Sequence, residues 1–205
     1  MKRNFTCATL VLLVTVLYSQ AQEIQTVFKP GRSGGYGAIS NKFTWIGGSF
    51  ANMAEVYGGW YSNSHFLLGI SAAGVTNDIP VSPQNSVRPG VNMSYAYGQA
   101  GLVTGYTLGS GNVVHLVFNL FSGVGFTGQY ERWGSGEDHI GGSDVDENWF
   151  FVAEPGMQVE VNLSRWMRFS PGVSYRAAFG SDAAGLSDRD LSDVSYNLTL
   201  KFGKF

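Results

Sequence analysis

From residue 193 onward, apolar and polar residues alternate one for one. Val194, Tyr196, Leu198, Leu200 and Phe202 share one parity, and Asp193, Ser195, Asn197, Thr199 and Lys201 share the other. Successive side chains of a β-strand point to opposite faces, so this spacing predicts a strand with one apolar and one polar side. Three further segments repeat it. At 149–161, Trp149, Phe151, Ala153, Met157, Val159 and Val161 oppose Glu154, Gln158 and Glu160. At 166–179, Met167, Phe169, Val173, Tyr175 and Phe179 oppose Arg168, Ser170, Ser174 and Arg176. At 113–130, Val114, Leu116, Phe118, Leu120, Val124 and Phe126 oppose His115, Asn119, Gly123, Gly125 and Thr127. Shorter alternations predict strands at 35–46 (Ile39, Phe43, Trp45 against Ser40, Lys42, Thr44) and 49–61 (Phe50, Ala54, Val56, Trp60 against Glu55, Gly59). Another falls at 65–76, with Phe66, Leu68, Ile70 and Ala72 against Gly69, Ser71 and Ala73. The eighth, 91–108, is irregular. Tyr95 and Tyr97 take one parity and Leu102 and Tyr106 the other, which a bulge near residues 98–101 would reconcile.

The connections alternate in length. Residues 62–64, 109–112 and 162–165 are tight and rich in turn formers, whereas 77–90, 131–147 and 180–190 are long and polar. Short turns on one rim and long loops on the other is the plan of a transmembrane barrel, with both termini on the short-turn side. The hairpin at Gly47-Gly48 departs from the plan, because a long outer loop belongs there.

Alternation alone fits a soluble barrel with its apolar face inward equally well. Composition separates the two. Only 14% of residues are charged, where soluble domains carry about 25%. Glycine (28), Phe (14), Tyr (10) and Trp (5) are plentiful. A soluble exterior would be rich in Lys and Glu. Here the polar parity is mostly Gly, Ser, Ala, Asn and Thr, small residues suited to the crowded interior of an eight-stranded barrel. The apolar parity is therefore expected to face lipid. No segment beyond residue 21 approaches the roughly 20 apolar residues of a helical span, and only helices and closed barrels satisfy their backbone in hydrocarbon. Trp45, Trp60, Tyr61, Tyr106, Tyr130, Trp149 and Trp166 fall at or near predicted strand ends, where interfacial girdles belong. The inward parity collects Lys42, Glu55, Glu154, Glu160, Arg168, Arg176 and Lys201. Isolated charges there would be expensive, which predicts an internal network of ion pairs and hydrogen bonds joined by His115, Asn119 and Gln158.

Residues 1–21 read as a signal peptide: Lys2 and Arg3, an apolar run at 7–18, then Ser19-Gln20-Ala21 as a small-x-small exit. Residues 22–34 then form a tail, and 35–205 the barrel. The only cysteine, Cys7, leaves with the signal, which excludes a disulfide scaffold. Without Lys2 and Arg3 the 13 basic residues become 11, against 15 acidic ones. A mildly acidic chain with no basic run is poorly suited to nucleic acid.

With its leader and eight strands, the closing stretch Ser195-Tyr196-Asn197-Leu198-Thr199-Leu200-Lys201-Phe202-Gly203-Lys204-Phe205 resembles the small outer-membrane β-barrel families of Gram-negative bacteria, OmpX-like or OmpA-transmembrane-domain-like. The resemblance is architectural and spans essentially all of 35–205. It implies an all-β, eight-stranded antiparallel up-and-down barrel in contact with outer-membrane lipids and lipopolysaccharide. It also implies a terminal aromatic strand read by the barrel-assembly machinery. No cofactor is implied, and the chain is read as a monomer. Phe205 departs from the pattern, being out of phase with Leu198, Leu200 and Phe202, and Gly203 would mark a local irregularity.

Chemistry is sparse. His115 is expected to face inward and lacks the His-x-Ser pattern of deacylase-like barrels. His65 adjoins Ser64, but neighbours in a strand point to opposite faces. The loop 131–147 holds Glu131, Glu137, Asp138, His139, Asp144, Asp146 and Glu147 against Arg132. Asp138, His139, Asp144 and Asp146 are candidate ligands for a divalent cation, and Asp138 with His139 a candidate acid–base pair. The spacing is not that of an EF-hand, and the default is a solvated acidic loop. With Asp188 and Asp190 it makes the outer rim electronegative. The expected function is non-enzymatic: surface interaction, ligand binding or envelope integrity through the outer loops. A barrel enzyme acting on lipid A or surface proteins is the alternative, and a narrow pore a third.

Overall fold

The computed structural model describes residues 33–132 and 147–205. Among these, eight long antiparallel strands follow the predicted segments: β1 Gly34–Ile46, β2 Ser49–Ser62, β3 Phe66–Val75, β5 Met93–Leu108, β6 Val114–Glu131, β7 Asn148–Asn162, β8 Met167–Phe179 and β9 Asp193–Gly203. A two-residue strand, β4 (Ile79–Pro80), adds to the edge of β5, and a four-residue helix, α1 (Asp188–Leu191), precedes β9. Each long strand pairs with its neighbours, and β1–β9 and β3–β5 complete the circle. Closure leaves no long strand with a free edge, the condition for crossing hydrocarbon with strands.

The barrel is apolar outside and polar inside. Ile39, Val56, Leu68, Ile70, Leu102 and Leu198 are 49–68% exposed, whereas Ser40, Thr44, Glu160, Ser170 and Thr199 on the opposite parity are buried. A soluble barrel would have the reverse. Girdle aromatics pair across strands on the outer wall: Trp45 with Phe50 and Trp149 with Phe126 near the long-loop rim, Tyr106 with Phe66 and Trp166 with Phe202 near the short-turn rim.

Two expectations change. β5 has no bulge: its ladder to β6 runs unbroken from Met93↔Glu131 to Leu108↔Leu116. Tyr95 and Tyr97 simply point inward, because their hydroxyls find partners there: Tyr95 donates to Ala184 O (2.7 Å) and Tyr97 to Gln99 Oε1 (2.7 Å). Tyr61 also leaves the girdle; it is buried in the lumen, its ring against those of Tyr36 and Phe205. Phe205 is out of phase with the outward residues of β9, as its position in the sequence implies, and its ring packs inside the barrel against Tyr61 and Arg168.

The Gly47-Gly48 hairpin, which departs from the long-loop plan, has its reason in the fold. Both glycines have positive φ (+56° and +75°), the two-residue turn that suits twisted strands. The Gly47 N–H donates to Asp190 O (2.9 Å), so the segment between β8 and β9 folds over this corner. Leu186 and Leu191 are buried beneath it, with Ile79. A long loop at 47–48 would occupy the place that the last loop fills.

Candidate functional site in the barrel lumen

Alternation along β7 aims Glu154, Gln158 and Glu160 into the barrel, and the neighbouring ladders bring their partners. Near the short-turn rim, His115 lies opposite Glu160, and Arg168 opposite Lys201. Glu160 is fully buried. Its Oε1 accepts from Arg168 Nη1 (2.5 Å) and meets His115 Nε2 (2.9 Å). Its Oε2 meets Lys201 Nζ (2.6 Å) and accepts from Ser170 Oγ (2.9 Å). Four contacts use the acceptor capacity of one carboxylate. Phe205 covers the assembly from below, its ring centroid 3.8 Å from the Arg168 guanidinium carbon, a cation–π contact.

At mid-barrel, Lys42 Nζ lies 2.6 Å from Glu154 and 3.6 Å from Glu55. Ser174 and Gln99 donate to Glu154 (2.5 and 3.0 Å), and Ser71 donates to Glu55 (2.9 Å). Gln158 and Tyr57 face the space between these groups. Asn119 lines the same space, but its Oδ1 takes no hydrogen bond among the described residues. The void between these groups measures about 20 Å³, room for little more than a water molecule.

Arg176, at the long-loop end, departs from the ion-pair expectation. It is 1% exposed. Among the described residues its oxygen partners are main-chain carbonyls: Nε donates to Leu191 O (2.6 Å) and Nη2 to Trp45 O (2.9 Å), with the guanidinium 5.0 Å from the Tyr97 ring. It thereby pins α1 and the last loop to the barrel wall. Arg176→Lys keeps the charge but loses the fork geometry. The expected loss is about 2 kcal/mol of local stability, read as faster protease cleavage within 180–192 while the barrel melts almost unchanged.

Seven of the ten predicted residues thus meet in two ion-pair groups, around Glu160 and around Lys42, while Arg176 bonds main-chain carbonyls and Gln158 and Asn119 line the mid-barrel space. The sequence reading missed Tyr57, Tyr97 and Gln99; strict parity through β5, without the bulge, would have placed the last two inside. The metal and acid–base candidates Asp138, His139, Asp144 and Asp146 lie outside the described residues. Among those described, no group of three His, Cys, Asp or Glu is arranged to hold a metal ion. His65 meets Ser110 rather than Ser64, with Nε2 3.4 Å from Oγ, a long hydrogen bond that ties two short turns together.

No family model matches the sequence, and no curated protein does. Solved structures do. Neisserial surface protein A superposes with a TM-score of 0.60 at 8% identity, over 84% of this chain and 97% of that one. The N-terminal β-barrel domain of Pseudomonas aeruginosa OprF gives 0.53 at 8% identity, over 85% and 99%. At such identity the likeness is one of fold. Together with the closed ladder, the apolar exterior and the charged interior, it gives this chain the fold of the small eight-stranded transmembrane β-barrels of bacterial outer membranes.

Proposed function

We propose that this barrel is a non-enzymatic surface protein that binds through its outer loops, exported with residues 1–21 removed and presenting 195–205 to the assembly machinery. One observation carries the reading: the lumen is filled by tied side chains, with a central void of about 20 Å³, which leaves the long-loop rim as the place to meet a partner. That rim is braced. Gln129 donates to Asn85 O (2.9 Å) and accepts from Val87 N–H (3.1 Å), while Tyr95 holds Ala184. A preorganised surface loses less ordering entropy on binding. Asp78 and Asp182 are exposed on it, which favours a partner with basic groups. The neisserial relative is likewise named a surface protein.

Two measurements test this. Purified protein in planar bilayers is expected to give no conductance. Cells displaying the protein are expected to retain more fluorescent polylysine than cells displaying a version with 77–90 and 131–147 shortened to Gly-Ser turns. Steady channels, or equal retention, would overturn the reading.

A further inference from the structure

One sector of the outer wall is bare of large side chains. Gly35, Gly58, Ala72 and Ala100 take outward positions on β1, β2, β3 and β5, where Gly58 pairs with Ile70, Val56 with Ala72, and Ala72 with Ala100. Val56, Trp60, Ile70 and Leu102, 56–71% exposed, stand around them as lips. The result is a depression of about 960 Å³ in the lipid-facing surface, within the size range of ligand pockets. It runs from the middle of β2 toward the short-turn rim, where Trp60 and Gly35 lie.

We propose that this groove holds one glycerophospholipid of the periplasmic leaflet, its acyl chains on the glycine–alanine floor and its phosphate at Lys204. The groove is continuous with the surface that hydrocarbon covers. Left empty there, its walls would forfeit their dispersion contacts. Short turns mark the periplasmic end of such barrels, so the leaflet is the phospholipid one and not that of lipopolysaccharide. Lys204 is exposed, and its N–H donates to Gly35 O (3.1 Å), which sets its main chain beside the groove's periplasmic end. From there a lysine stem reaches the headgroup level and offers its ammonium to a phosphate. A second copy of the chain fits less well. A two-fold contact sets the same patch against itself, hollow against hollow.

Native mass spectrometry of the barrel, extracted in mild detergent from membranes that contain phosphatidylethanolamine, phosphatidylglycerol and lipopolysaccharide, tests this. The unaltered protein is expected to retain one phospholipid. Ala72→Leu with Ala100→Leu fills the floor at positions that already carry an outward Cβ. Retention should then fall about tenfold, the equivalent of two lost buried methylenes. Ala54→Leu, outward on β2 but away from the groove, should change nothing, and Lys204→Gln should weaken retention less than the filled floor does. Heat-modifiable migration on gels confirms that every variant is folded. Equal retention by the unaltered and filled proteins, lipid A in place of phospholipid, or a dimer that the filled variant splits would each overturn the proposal.

Discussion

Glu160→Gln is expected to destabilise the barrel by about 3–5 kcal/mol, the range for breaking a buried ion pair from one side. Arg168, Lys201 and His115 all converge on this carboxylate, which has no solvent to share the load. Its removal strands two cations in a lumen too narrow to hydrate them. Urea unfolding in lipid vesicles, followed by tryptophan fluorescence, reads the loss. Adding Lys201→Met should recover part of it, because one stranded charge goes with the side chain; the double-mutant cycle isolates that coupling. Glu55→Gln should have a smaller effect, since Lys42 keeps Glu154 at 2.6 Å and loses only a partner at 3.6 Å. If Glu160→Gln and Glu55→Gln unfold at the same urea concentration, Glu160 is not the hub of the interior.

Leu198→Arg addresses the other face. Leu198 sits in the middle of β9, points outward and is 49% exposed. On a water-facing surface such a change usually alters stability by no more than about 0.5 kcal/mol. At the midplane of a bilayer it should lose about 2–4 kcal/mol. The same substitution at Leu163, in a short turn, should lose about 0–1 kcal/mol, because depth sets the penalty. Similar values at the two positions would contradict the lipid-facing assignment.

Both substitutions test assignments that parity made possible. Strand positions, inward charges and the outward apolar face are readable from the sequence because a strand's period is two and closure forces every strand to present the same two faces. Composition then chose the direction, since Gly, Ser and Asn on the polar face of β9 and its neighbours cannot coat a soluble protein. Aromatic residues were read less well. The apolar rings of Tyr61, Tyr95 and Tyr97 point the reading outward, yet all three turn inward, where a hydroxyl partner or the Arg168 guanidinium compensates them. Asp188 and Asp190 keep places at the surface, half-buried and exposed, but they also have local structural roles that alternation does not reveal. In the fold Asp188 accepts from the N–H groups of Gly180 and Ser181, and Asp190 closes a capping box with Ser187.

By itself, then, the sequence determined the number of strands, the face each side chain takes and the medium the barrel crosses, because these follow from local alternation and composition. Only the tertiary structure decided which charges meet. Lys42 and Glu154 are 112 positions apart, and Glu160 gathers cations from β8 and β9 through the register of two ladders. That register depends on how eight strands close at once. The same closure brings Lys204 beside Gly35 and Arg176 beneath Leu191, contacts that no local pattern encodes.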